Sequence, residues 1–390
     1  MKIATAKRLD SVNEYYFSAK LKEIESLNRE GRKVINLGIG SPDLPPHPEV
    51  IKTLQEESAS SYNHAYQGYK GIPALRQAFA GWYERFYTVK LDPDTEILPL
   101  MGSKEGIMHI CMTYLGEGDR ALVPDPGYPT YSSAVQLAGA TPQCYGLKAE
   151  NNWLPDYEAL EAGDLSRVKL MFVNYPHMPS GKAADKETFA SLVLFARRNN
   201  ILLVHDNPYS FILNDKPLSI FCIEGAKEVA LELNSLSKSH NMAGWRVGVL
   251  CGSDDRIADV LRFRSNMDSG MFLPLQLAAV KALQLYDDWY SDVNDIYADR
   301  KAQICKVLDL LGCSYAPDQT GMFVWARVPE GCNDGYYLSD IILKQCKVFV
   351  TPGGIFGTEG KNYIRVSLCK PAPELEEAAT RIENVDFTIF

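Results

Sequence analysis

A chain of 390 residues exceeds one ordinary core of ~100–200 residues, so a large α/β domain carrying a second lobe is expected. Hydrophobic residues make up 46% and charged residues 23%, a globular composition with no room for a long disordered tract. The formal net charge of −9 disfavours nucleic acid as a partner, and no apolar run of about 18 residues is present to span a membrane.

The N-terminus, MKIATAKRLD, lacks the apolar centre of a secretory leader, so the cytoplasm is the expected compartment. The proline-rich stretch GSPDLPPHPEV near residue 45 reads as a crossing between lobes, pairing the N-terminal segment with the C-terminal lobe. From about Pro48 to Trp289, short apolar runs alternate with amphipathic ones of helical length, as a parallel α/β sheet requires. Candidate strands are Arg120–Pro124, Lys169–Asn174, Ile201–Asp206, Ala230–Ser235 and Val247–Gly252. Between two of them, Phe189, Leu192, Val193, Phe195 and Ala196 recur at helical spacing within Asp185–Asn199, which predicts a crossover helix. Beyond Tyr290 the texture shifts to a long charged helix (Asp292–Leu311), a strand MFVWARV, a helix near Tyr337–Gln345 and a strand YIRVSL, a separate α+β lobe. The expected division is 48–289 for the large domain, with 1–47 and 290–390 forming the small domain and an N-terminal arm. Nine cysteines are scattered without a C-x-x-C pair, so they read as reduced thiols and no metal site is expected.

The sharpest chemical signal is Ser235-Leu-Ser237-Lys238-Ser-His-Asn-Met-Ala-Gly-Trp-Arg246-Val-Gly248. A lysine in a polar turn is most often a solvated surface residue. Here hydroxyls at i−3 and i−1 and an arginine at i+8 suit a phosphate, glycines permit close backbone approach, and a neighbouring cation helps keep an amine reactive toward a carbonyl. In Asp206-Asn-Pro-Tyr209 an acid ends an apolar strand. It reads either as a turn or cap residue, or as a carboxylate at the strand end where α/β ligands bind and where a pyridinium nitrogen would find its partner. Gly102-Ser103-Lys104-Glu105-Gly106 opens a helical run and offers backbone N–H groups to an anion, a weak signal alone. Pro126-Gly127-Tyr128-Pro129 holds an aromatic that is either a surface turn residue or a ring-stacking one.

Tyr66 to Arg76 (YxxxxGxxxLR), GSKEGI, PGYPTY, DNPYS and SLSKSHNMAGWRVG, in this order, resemble the class I/II aminotransferases of fold type I, over nearly the whole chain. The resemblance implies an α/β fold type I pyridoxal-phosphate (PLP) enzyme that moves an amino group from an amino acid to a 2-oxo acid by a ping-pong scheme. Lys238 would be the Schiff-base lysine and proton shuttle. Asp206 would pair with the pyridine nitrogen, Tyr209 with the phenolic oxygen, and Tyr128 would stack on the ring. The phosphate would be held by Ser103 and Lys104 backbone N–H groups, by Ser235, Ser237 and Arg246, and by Tyr66 reaching across from the partner of a homodimer. Arg365, in Tyr363-Ile-Arg365-Val-Ser, matches the arginine that grips the substrate α-carboxylate, against the bland reading of a surface-strand arginine. Tyr15 and Gly38 match substrate-gate positions of relatives similar to LL-diaminopimelate aminotransferase. The Lys104 side chain, mildly unfavourable in a first helical turn, is expected to read a second carboxylate on the substrate. Where the family has an asparagine in N-P-T-G, this chain has Met178, which leaves open whether Asn174 or His177 takes over that donor role. The alternative reaction on the same residues is β-elimination by a C–S lyase. A ligand-sensing module is the alternative of another class.

Overall fold

The computed structural model describes residues 3–10, 12 and 16–385. Thirteen strands occur among them: β1 (Ile35–Asn36), β2 (Ile97–Leu100), β3 (Arg120–Asp125), β4 (Thr141–Gly146), β5 (Val168–Val173), β6 (Leu202–Asp206), β7 (Ala230–Ser235), β8 (Gly248–Cys251), β9 (Ser314–Tyr315), β10 (Phe323–Arg327), β11 (Val348–Phe349), β12 (Thr351–Pro352) and β13 (Tyr363–Ser367).

The central sheet has seven strands in the order β2-β8-β7-β6-β5-β3-β4. Neighbours from β7 through β4 run parallel, whereas β8 is antiparallel to both β7 and β2. The strand expected at Val247–Gly252 therefore exists, but it runs against the parallel set. Two strands of this sheet escaped the sequence pattern, and both carry proline: Pro99 in β2 and Pro142 in β4. Both lie at sheet edges, where a residue that cannot donate to the ladder is tolerated. The inner strands are apolar on both faces. Leu170 and Phe172 of β5 join one core, and Met171 and Val173 join the other.

The expected crossover helix forms as Lys186–Asn199, with all five predicted apolar residues buried. Asp185 caps its start, its carboxylate accepting the Thr188 N–H, and Asn200 ends it in the left-handed conformation. β12, β13, β10 and the short β9, in that order, build a second, four-stranded sheet, while β11 pairs with β1. The N-terminal segment is thereby tied to the C-terminal lobe, and Asp43 adds a bidentate ion pair with buried Arg300.

The long helix starts earlier than the charge pattern suggested, at Asp287, and runs unbroken to Leu310. Asp287 and Asp288 in its first turn favour the positive end of the helix dipole. Tyr290 packs in the core around the central sheet, whereas Val293 and Tyr297 pack in the core of the C-terminal sheet. The transition at residue 290 falls inside a continuous helix and not in a linker. No described helix is long and apolar enough to cross a membrane.

Candidate active site

The carboxyl ends of β5, β6 and β7 deliver Asn174, Asp206 and Ser235 to one edge of the central sheet, the place where open α/β sheets bind ligands. A cavity of about 500 Å³ opens there and is closed by Ile39 and Gly40 from the N-terminal segment and by Phe323, Phe356 and Arg365 from the C-terminal lobe. Both lobes thus contribute walls. Twelve residues singled out in the sequence line it: Ser103, Lys104, Tyr128, Asn174, Met178, Asp206, Tyr209, Ser235, Ser237, Lys238, Arg246 and Arg365.

Asp206 is buried at the floor. Its Oδ2 accepts the Tyr131 hydroxyl at 2.8 Å, and its Oδ1 is buried with no hydrogen-bond partner. Burial pushes the Asp206 carboxyl up to about 6, with the Tyr131 hydrogen bond and the charge of His205 pulling the other way. Tyr131 is itself fixed by stacking on Phe172, centroids 4.9 Å apart and 12° between planes. Tyr131 is the last residue of the PGYPTY motif, which alone does not mark it as a partner of Asp206. Its place three residues after Tyr128, on the first turn of the helix Thr130–Leu137, was the available signal.

Lys238 sits in the four-residue helix Leu236–Ser239, capped by Ser235, whose hydroxyl accepts the Ser237 N–H at 3.1 Å. The ammonium donates to Gly40 O at 2.6 Å, so the amine reaches across to the N-terminal segment. Burial lowers its pKa to about 8. Arg246 adopts the left-handed conformation (φ 59°) and its guanidinium donates to Ala243 O at 2.9 Å and lies 3.5 Å from Ser237 Oγ. Gly102, at φ 85°, caps the helix Ser103–Tyr114, and a Cβ there would lie 2.2 Å from Arg246 Nη2. Only glycine lets the helix start, with its outward N–H groups, stand this close to the guanidinium. Hydroxyls, helix start and arginine together make an anion cradle.

On the facing wall, Arg365 is held between two rings, its guanidinium carbon 3.8 Å from the centroid of Phe323 and 4.6 Å from that of Phe356. Its Nη2 donates to Gly38 O at 2.9 Å, and its Nη1 lies 3.1 Å from Met178 Sδ. Met178 therefore touches the arginine, as a weak acceptor in place of an amide. Asn174 donates to Asp206 O and accepts the Met178 N–H, while both ring nitrogens of His177 face partners at Ser180 and Pro126. Both side chains are thus already engaged with partners within the chain.

Two residues expected in the site are not cavity-lining. Gly38 stands one step back: its N–H bonds Asn36 Oδ1, its carbonyl orients Arg365, and a Cβ would lie 2.4 Å from the Phe349 ring. Tyr66 lies on the surface, 93% exposed, away from the cavity of its own chain. Tyr15 falls outside the described residues.

The family profile described as aminotransferase class I and II matches residues 32–382. The chain belongs to the class I and II aminotransferases. It is 40% identical over 381 residues to the LL-diaminopimelate aminotransferase of Dehalococcoides mccartyi, covering 97% of this chain and 98% of that protein. To the enzyme of the same description from Desulforudis audaxviator it is 40% identical over 386 residues, covering 98% of each. Among solved structures, substrate-bound BacF from Bacillus subtilis superposes with a TM-score of 0.94 at 36% identity over 99% of both chains. The fold is that of fold type I aminotransferases, as expected, and this aminotransferase depends on PLP to move an amino group between amino acids and 2-oxo acids.

Proposed function

We propose that this cavity is where pyridoxal phosphate and the amino acid meet, and that at least one half-reaction takes a substrate with a second carboxylate, LL-diaminopimelate or glutamate. The observation that carries the reading is Asp206 Oδ1, a buried acceptor with no partner in a cavity that also holds Lys238. A protonated ring nitrogen is the donor it lacks, so the residues fit the cofactor. The anion cradle of Ser103, Ser235, Ser237 and Arg246 fits its phosphate.

Bound pyridoxal phosphate supplies the carbonyl that takes up the amino group and a ring that accepts the electron pair freed at the substrate Cα. The chain's residues do the rest. Asp206 holds a positive charge at the ring nitrogen, and Tyr131 orients that carboxylate. Tyr209 would supply a hydroxyl to the ring oxygen, and Tyr128 would pack against the ring. Lys238, its pKa lowered to about 8, has neutral amine available near neutral pH to remove a proton at Cα and return it. Arg365, pre-set between Phe323 and Phe356, grips the α-carboxylate and fixes which bond at Cα faces the amine. Lys104, exposed at the cavity rim, is the cation for a distal carboxylate. The likeness to LL-diaminopimelate aminotransferases supports such a substrate.

The finer organisation follows the same reading. Residues 48–289 form the large domain, and 1–47 with 290–390 the small one. The protein works as a homodimer in the cytoplasm, with Tyr66, which faces outward in its own chain, completing the partner's phosphate cradle. A single-turnover screen tests the function: holoenzyme is mixed with LL-diaminopimelate, glutamate, aspartate, alanine or methionine without an acceptor, and the visible band of the cofactor is followed. The band should bleach fastest with a dicarboxylate. Bleaching only with alanine or methionine refutes the substrate class, and catalytic release of ammonia and an oxo acid marks a lyase instead.

A further inference from the structure

Asp206 alternates along β6 with His205, which faces the opposite side of the sheet. His205 stands in register with Glu232 of β7, both fully buried, with Nδ1 2.7 Å from Glu232 Oε2. The other ring nitrogen, Nε2, lies 3.0 Å from the Tyr175 carbonyl, which can only accept, so Nε2 carries a hydrogen. Glu232 receives two further donors: the Tyr83 hydroxyl at 2.8 Å on Oε1 and the Ile220 N–H at 2.9 Å on Oε2. Donors stabilise a carboxyl group in its ionised form. This set of donors favours a proton between Nδ1 and Oε2 that rests on the ring, an imidazolium paired with a carboxylate.

We infer that His205, kept cationic by Glu232, is a positioning residue that holds the neighbouring Asp206 ionised inside the apolar sheet. The inference rests on the reading of Asp206 as partner of the cofactor's ring nitrogen. A carboxylate so deeply buried tends to take up a proton and would then lose its hold on a cation. The tyrosines Tyr131, Tyr128 and Tyr209 that face Asp206 are kept neutral by burial, and Lys238, Arg246 and Arg365 line the same cavity farther off; the charge that acts on the Asp206 carboxyl is that of His205 behind it. Around Glu232 stand Tyr83, Tyr87 and Cys251, each pushed up by burial first and by the Glu232 charge in addition. They are neutral too. A pair that merely bridged β6 and β7 would serve equally well as two apolar side chains. Its charged form lies one residue from Asp206 along the strand.

The test is nitrogen NMR on the holoenzyme. With ¹⁵N-labelled histidine, His205, assigned by its loss in His205→Gln, should show both ring nitrogens protonated at about pH 7.5. His109, His177 and His240, which burial pushes down to about 4, 4 and 3, give neutral reference signals in the same spectrum. A neutral His205 in the wild-type protein overturns the inference, and this measurement needs no folded variant of the pair. In a second arm the cofactor carries ¹⁵N in its ring. Glu232→Gln should move that signal toward the unprotonated position, part of the way reached in Asp206→Asn, as expected from a change of roughly threefold to tenfold in Asp206 proton affinity. A folded Glu232→Gln protein with an unmoved signal, beside a moved one in Asp206→Asn, sinks the inference alone. An unmoved signal in Asp206→Asn sinks the reading of the site beneath it.

Discussion

Tyr131→Phe isolates one hydrogen bond to the buried carboxylate. The substitution keeps the ring stacked on Phe172 and removes the single donor that Asp206 Oδ2 receives from a side chain, at 2.8 Å. A hydrogen bond to a charged acceptor is worth roughly 1.5–3 kcal/mol, which converts to about one to two pH units. The sign follows from the state it stabilises. Asp206 already sits near 6 because burial raises it, and losing the donor raises it further. The ionised form is present above that pKa and is lost as pH falls through it, so the variant loses its carboxylate nearer to neutrality. The assay is the dissociation constant of pyridoxal phosphate from the apoenzyme between about pH 5 and pH 9. Wild-type affinity should weaken as pH falls through about 6. In Tyr131→Phe the same limb should lie about one to two units higher, with the two proteins within about threefold of each other at the alkaline end. Coincident limbs would show that Tyr131 does not stabilise the charge and that the cavity holds the cofactor by another route.

Lys238, with a pKa lowered to about 8 by burial, should make the rate at which apoenzyme takes up cofactor rise with pH to a midpoint near 8. A midpoint near that of an ordinary lysine, or borohydride labelling at another lysine, contradicts the assignment. Gly102→Ala places a Cβ 2.2 Å from Arg246 at a positive φ. It should cost about 1–3 kcal/mol in denaturant unfolding and weaken cofactor retention, whereas retention equal to wild type would remove Arg246 from the phosphate cradle. Met178→Asn supplies an amide donor where the chain has a thioether, so the pH titration of the cofactor's visible band should shift to lower pH; an unmoved band means another group, such as Asn174 or His177, already fills the role. Lys104→Ala should lower kcat/KM about tenfold to a hundredfold with a dicarboxylate and little with alanine, and equal losses on both would make Lys104 a cofactor residue only.

How far the site was legible follows from which contacts are local. Ser235, Ser237, Lys238 and Arg246 lie within one short segment, so their hydroxyl, amine and guanidinium spacing could be read along the chain. The Tyr131 bond to Asp206 links residues 75 apart, and the Gly40 carbonyl that meets Lys238 is 198 residues away. No spacing rule reaches that far. The pair His205 and Glu232 was invisible for the same reason, since a histidine and a glutamate in apolar strands look like errors in the pattern until the register sets them opposite each other.

By itself the sequence determined the family, the five inner strands as short apolar runs, the crossover helix with its apolar stripe, and most of the polar residues around one cavity. These are consequences of nearest-neighbour chemistry: apolar periodicity, capping residues and glycines at turns. Tertiary structure alone decided that β8 turns against the parallel set, that prolines occupy both edge strands, and that one helix spans both cores across residue 290. It also decided that Met178 lies against Arg365, and that Asp206 has one oxygen satisfied and one left buried without a partner. Each of these depends on where distant segments are brought to rest, through burial and hydrogen bonds that exist only once the sheet has formed.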